Sequence, residues 1–169
     1  MVTPSEQRKI RFLAPDLQEP CGRAIEHARE LLAARPGMSE YRIVLWETWR
    51  SYKKQMKRFS RGRELVDGRW VVTNARRVVT WAMPDQSAHC CKDGRGKPAA
   101  QAFDLVICTR SAWLPDGHPA WGIIPTAAYL AAGDMLESGA MFKSIPGGDW
   151  PHIQRRNWME HRRNGTVGR

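Results

Sequence analysis

The chain has 169 residues, 42% hydrophobic and 26% charged, which excludes a wholly disordered polymer and suffices for one domain whose core needs no disulfides. Its 27 Lys and Arg against 17 Asp and Glu give a formal charge of +10, so polyanions are the expected partners: nucleic acid, anionic lipid or acidic polymers. No apolar run reaches transmembrane length, and the opening MVTPSEQRKIRFLAP lacks the apolar stretch of a secretory signal, so residence in the cytoplasm of the producing cell is expected.

In chain order, Ala24, Ile25, Ala28, Leu31 and Leu32 stand at helical spacing and predict a helix from Pro20 that stops at Pro36-Gly37. His27 reads as a partly exposed histidine on it. YRIVLWETW is rich in β-branched and aromatic residues and predicts a strand that delivers Glu47, Arg50 and Ser51 at its end. SYKKQMKRFSRGRE follows as a helix with a solvated basic face, and Asp67-Gly68 predicts a small hairpin within Leu65 to Ala75. AFDLVIC, from Ala102 to Cys108, reads as a buried strand with one charge inside it, Asp104. LPDGHPAWG is loop, with His118 exposed in it. IIPTAAYLAAGDMLESG predicts a helix from Ile123 to Gly139, and MFKSIPGGDWPHIQ a strand, a Gly-rich turn and a second strand. The end, RRNWMEHRRNGTVGR, reads as a basic tail. With no repeat or linker, one α+β domain is expected over residues 1–169, its core at about 20–156, with a small, mostly antiparallel sheet flanked by helices.

The residues that carry chemistry are few. A carboxylate in an apolar strand is costly unless it is ion-paired or bound to a metal, and for Asp104 both remain open. His89, Asp104 and His152 are the residue types of a catalytic zinc site, three ligands with the fourth position left for water, on the sheet and its loops. Asp149, three residues before His152 and across Pro151, is then the carboxylate to take a proton from that water. Cys90 and Cys91 flank His89 and are rival ligands, although adjacent cysteines rarely reach one ion together. The four cysteines (Cys21, Cys90, Cys91, Cys108) lack the C-x-x-C spacing of a structural zinc site, and reduced thiols are expected.

Four blocks, ETWRSYKKQMKRFSRGR, VVTWAMPDQSAH, AAQAFDL and GGDWPHIQ, occur in the order found in the zinc D-alanyl-D-alanine carboxypeptidases and dipeptidases and the phage L-alanyl-D-glutamate endolysins, and residues 41–154 resemble that family. The resemblance implies that His89, Asp104 and His152 bind Zn²⁺ and that Asp149 is the general base. It also implies that Arg50 holds substrate or the developing oxyanion, with Ser87 and Gln55 supporting the site. The sequence departs from the family's S-x-H-x-x-G-x-A-x-D pattern by inserting CCKDGRGK between His89 and Asp104 and by placing Ala100 where glycine is usual. That insertion, with Gly94 and Gly96, reads as a mobile flap whose Lys92, Arg95 and Lys97 line the cleft mouth.

The implied activity is hydrolysis of bacterial peptidoglycan, at L-Ala-D-Glu or at a D-Ala-linked bond, by a monomeric endolysin that reaches the wall after holin-type release. No separate wall-binding domain is visible; the positive charge would hold the enzyme near an anionic envelope. The alternative from another class is a basic nucleic-acid-binding protein or metal nuclease centred on NWMEHRRNG. It offers His161 without the further His and Asn such a site requires, so no specific nucleic-acid partner is expected.

Overall fold

A computed structural model describes residues 1–142 and 148–163, with side chains described as far as Glu160. Its helices are α1 (Pro4–Ile10), α2 (Pro15–Ala33), α3 (Tyr52–Phe59), α4 (Ile123–Ala132) and α5 (Trp158–Arg163). Its strands are β1 (Arg42–Glu47), β2 (Arg63–Val66), β3 (Arg69–Val72), β4 (Ala102–Cys108), β5 (Leu136–Ser138) and β6 (His152–Arg155). Four strands form an antiparallel sheet in the order β1-β4-β6-β5, and β2-β3 is a separate hairpin. The fold is α+β, as expected. Among the described residues no helix is long and apolar enough to cross a membrane.

The core lies on one side of the sheet. Leu17, Ala24, Ile25 and Ala28 of α2 and Ile124, Ala127 and Ala131 of α4 join Leu45, Phe103, Leu105, Ile107 and Ile153 in one buried cluster. Small residues along both helices let them pack closely together over the strands. The opposite side carries the polar row described below, so alternation along β4 separates the buried Phe103 and Leu105 from Asp104 between them.

Several elements depart from the sequence reading. The first long helix begins at Pro15, with Pro20 inside it, because burial of Leu17, Pro20 and Cys21 outweighs the amide hydrogen bond that proline lacks. Ahead of it, α1 is a helix closed by a capping box between Thr3 and Glu6, whose carboxylate also binds Arg29 at 2.7 Å. The helix from Ile123 ends at Ala132, where Gly133 has φ +53°, and the chain returns as β5. Trp158, in the stretch read as a basic tail, is buried with Ala88, Cys91, Ala99 and Ala102. The strand expected at MFKSI falls on Met141 and Phe142, which are not in one, and on residues 143–145, which lie outside those described. The hairpin turns at Asp67 and Gly68, both at positive φ, as a two-residue primed turn requires.

Candidate metal centre

Strand register assembles the site. In the β4-β6 ladder Asp104 faces His152, and an irregularity in β1 between Leu45 and Glu47 brings Glu47 opposite Asp104. Cross-strand partners share a face, so Glu47, Asp104 and His152 form one row. One step along, Gln154 lies opposite both Ala102 and Glu137. His89 enters from a single 3₁₀ turn, Ala88–Cys90, tied down when Arg50 N–H donates to the His89 carbonyl (2.9 Å) and Gln101 N–H to that of Ala88 (2.8 Å).

The three predicted ligands meet. His89 Nε2 lies 3.1 Å from Asp104 Oδ1 and 3.2 Å from His152 Nδ1, and His152 Nδ1 lies 3.1 Å from the same oxygen. The outer nitrogens fix both tautomers. His89 Nδ1–H donates to the Thr48 carbonyl at 2.5 Å, leaving a lone pair on Nε2. Gln154 donates its amide N–H to Glu137 at 2.6 Å, which turns its oxygen toward His152, so His152 Nε2–H donates to it at 3.0 Å and Nδ1 also presents a lone pair. With both imidazoles neutral, three acceptors therefore face one another with no donor between them, so a proton or a metal ion must join them.

That arrangement fits a cation. Ligands of a tetrahedral zinc at ~2.0–2.1 Å lie about 3.3–3.4 Å apart, close to the three separations observed. Among the described residues this is the group of three or more His, Cys, Asp or Glu side chains whose ligand atoms converge. Burial opposes ionisation of Asp104, but the charges and hydrogen bonds of His89 and His152 outweigh it and hold the carboxyl well below its usual range. Burial likewise opposes charge on His152, yet hydrogen bonding and attraction to Asp104, with help from Asp149, raise its pKa. The site is built to hold positive charge.

Asp149 stands beside this cluster. Its carboxyl is pushed above the usual value, chiefly by burial, with Asp104 adding repulsion while the histidines and Arg50 pull the other way. Its N–H donates to the Gly139 carbonyl at 2.8 Å, and its own carbonyl accepts from His152 N–H at 3.1 Å. Gly139 permits this approach, since a Cβ there would lie 3.0 Å from the Cβ atoms of both Asp149 and His152 and closer still to the Asp149 carbonyl.

Arg50 lies behind Asp104. Its Nε donates to Glu47 at 3.0 Å, its Nη2 pairs with the same carboxylate, its Nη1 donates to Gln55, and Nη2 comes within 3.9 Å of Asp104 Oδ2. The side chain is 6% exposed, so its charge faces Asp104 and Glu47 more than any incoming ligand. Gln55 in turn donates to the Ala82 carbonyl at 2.7 Å, and Ser87 is buried where its carbonyl caps the His89 turn through Cys90 N–H. Glu47 also binds Lys54 (2.6 Å) and Arg58 (3.1 Å); burial raises its pKa, and Arg50 first, then Lys54 and Arg58, overcome that to lower it.

Neither Cys90 nor Cys91 joins the converging ligand group, and Cys91 sits in the small apolar cluster under Trp158. The insertion after them is a hydrogen-bonded turn where a loose flap was expected: Asp93 Oδ1 accepts from Arg95 N–H (2.9 Å) and Lys97 N–H (2.8 Å), and Lys92 bridges to Pro98. His27 pairs with Glu30 at 3.5 Å on α2, and His118 caps a short turn, both away from the site. Sequence reasoning missed Gln154, Glu137, Gly139 and the Thr48 carbonyl. Gln154 alone carried a signal, being two residues beyond His152 on a strand and hence on the same face.

No family model matches the sequence, and no curated protein matches it. Among solved structures, the L-Ala D-Glu endopeptidase ChiX of Serratia marcescens superposes with a TM-score of 0.56 at 18% sequence identity, covering 94% of this chain and 92% of that one. Over nearly its whole length, the chain has the fold of an L-Ala D-Glu endopeptidase.

Proposed function

We propose that the chain is a zinc-dependent peptidase of bacterial peptidoglycan, an endolysin acting on the wall after its release, with the L-Ala-D-Glu bond of the stem peptide as its target. The observation that carries the reading is the convergence of three acceptor atoms, on His89, Asp104 and His152, whose outer hydrogen bonds leave them nothing to bind but a cation. Its fold, shared with an L-Ala D-Glu endopeptidase, supports the substrate class.

His89, Asp104 and His152 would hold Zn²⁺, which would supply a Lewis acid for the scissile carbonyl and lower the pKa of water there. Asp149 takes a proton from water as the water oxygen bonds to the scissile carbonyl carbon, and gives that proton to the amine nitrogen as the C–N bond breaks, leaving a carboxylate and a free amine. Its raised pKa suits a group that must both take and give a proton. Arg50 is a positioning residue: held in place by Glu47, it attracts Asp104 Oδ2 at 3.9 Å, so that Oδ1 remains aimed between the histidines. Thr48 and Gln154 hold the two imidazoles in the tautomers a metal requires.

The test is digestion of purified sacculi by the zinc-loaded protein and its chelator-treated form, with metal analysis of each and mass spectrometry of the soluble products. One zinc per chain and new L-Ala and D-Glu termini are expected, both lost with chelator. Products that keep the L-Ala-D-Glu bond and gain a new D-Ala carboxyl would move the cut to the other bond, and no products from the zinc-loaded protein would remove the peptidase reading. A plasmid-nicking assay run alongside should show no cleavage.

A further inference from the structure

The hairpin β2-β3 interrupts the path from α3 to His89 and, among the described residues, is held to the body at its base. Arg63 is buried there with its guanidinium over Phe59 (4.3 Å) and Trp81 (4.8 Å), Trp70 meets Phe59 edge to face at 5.7 Å, and Thr73 and Asn74 N–H groups donate to the Gly62 carbonyl. Beyond that anchor the hairpin exposes apolar side chains on both faces. Register places Leu65 with Trp70 on one face and Val66 and Val71 on the other, yet Leu65 is 60%, Val66 47% and Val71 45% exposed. Trp81 at its base is 60% exposed as well. Two strands alone bury too little to explain apolar residues facing outward on both sides.

The charge around it is one-sided. From Tyr52 to Trp81 the chain has nine Lys and Arg against Glu64 and Asp67. Lys54 and Arg58 are bound to Glu47 and Arg63 is buried, which leaves Lys53, Lys57, Arg61, Arg69, Arg76 and Arg77 exposed. A flat protein or nucleic-acid surface covers one face of such a hairpin. A fluid interface surrounds both, takes tryptophan at the headgroup level and gathers lysine and arginine when its lipids are anionic. The outer edges of both strands still need hydrogen bonds, so insertion stays shallow, within the hydrated headgroups.

We infer that the β2-β3 hairpin docks on an anionic lipid bilayer, with Leu65, Val66 and Val71 entering the interface and the surrounding cations meeting the headgroups. This surface is independent of the peptidase reading. The test is co-sedimentation of the full chain with phosphatidylcholine vesicles containing phosphatidylglycerol, and with phosphatidylcholine alone, at low and physiological salt. Binding is expected only to the anionic vesicles. Leu65→Ser with Val66→Ser and Val71→Ser should lower the partition coefficient by about tenfold or more, given the apolar area removed. Leu65→Phe with Val66→Leu should raise it, which keeps the test decisive even if the serine variant folds poorly. No binding to anionic vesicles would overturn the inference. So would serine and enlarged variants that bind as the parent does and are displaced equally by duplex DNA, the result expected of charge acting alone.

Discussion

Gly139→Ala probes the site without replacing any group that reacts. The added methyl would stand 3.0 Å from the Cβ atoms of Asp149 and His152, where ordinary contact begins near 3.4 Å, and it would meet the Asp149 carbonyl more closely still. The turn bearing Asp149 must therefore withdraw by about 0.4 Å or more at two points, against a close-packed sheet. Overpacking of this kind costs about 1–3 kcal/mol, with about 1 kcal/mol more if the 2.8 Å hydrogen bond from Asp149 N–H to the Gly139 carbonyl is lost. For a chain of this size that is a fall in Tm of roughly 2–4 °C per kcal/mol. Misplacing a proton-transfer group on the ångström scale costs turnover on the order of 100-fold. The assay pairs calorimetry with single-turnover hydrolysis of muropeptides at saturating zinc, and Gly122→Ala is the control because nothing lies within 4 Å of its added Cβ. Parental Tm and turnover in Gly139→Ala would refute the claim that this glycine sets the position of Asp149.

Asp149→Asn should keep one zinc per chain by metal analysis and lose about 100-fold or more in kcat, as removal of a general base does. Gln154→Ala removes the acceptor that orients His152 and should weaken zinc binding by about 10–100-fold in a competition titration, with the unfolding transition of the metal-free protein little changed. Glu47 has a folded pKa below its ordinary 4.5, so its ion pairs stabilise the fold fully above that pH and are lost as pH falls through the folded value. Glu47→Gln should accordingly flatten the acid limb of the stability curve in denaturant titrations, and at neutral pH it should cost up to about 3–5 kcal/mol because buried Arg50 loses its nearest carboxylate. Cys91→Ser should retain stoichiometric zinc while lowering Tm, since Cys91 packs against Ala88, Ala99, Ala102 and Trp158.

The sequence determined what depends on neighbours along the chain. A single carboxylate in AFDLVIC marked Asp104, and two residues tolerant of positive φ in Asp67-Gly68 set the hairpin. The run of β-branched and aromatic residues after Tyr41 set the edge strand. Residue types and order singled out His89, Asp149 and His152 as candidates, because ligand and base chemistry belongs to side chains. Only the tertiary structure decided what depends on register and on backbone groups far apart in sequence. The Thr48 carbonyl that fixes the His89 tautomer has no side-chain signature, and the break in β1 that sets Glu47 opposite Asp104 appears only once the strands are paired. Pro20 carries a local signal for a helix boundary that burial overrides, and Gly139 looks like the end of a helix until Asp149 is brought against it. Local preferences amount to about 1 kcal/mol per residue, and the packing of α2 and α4 on the sheet exceeds them wherever the two disagree.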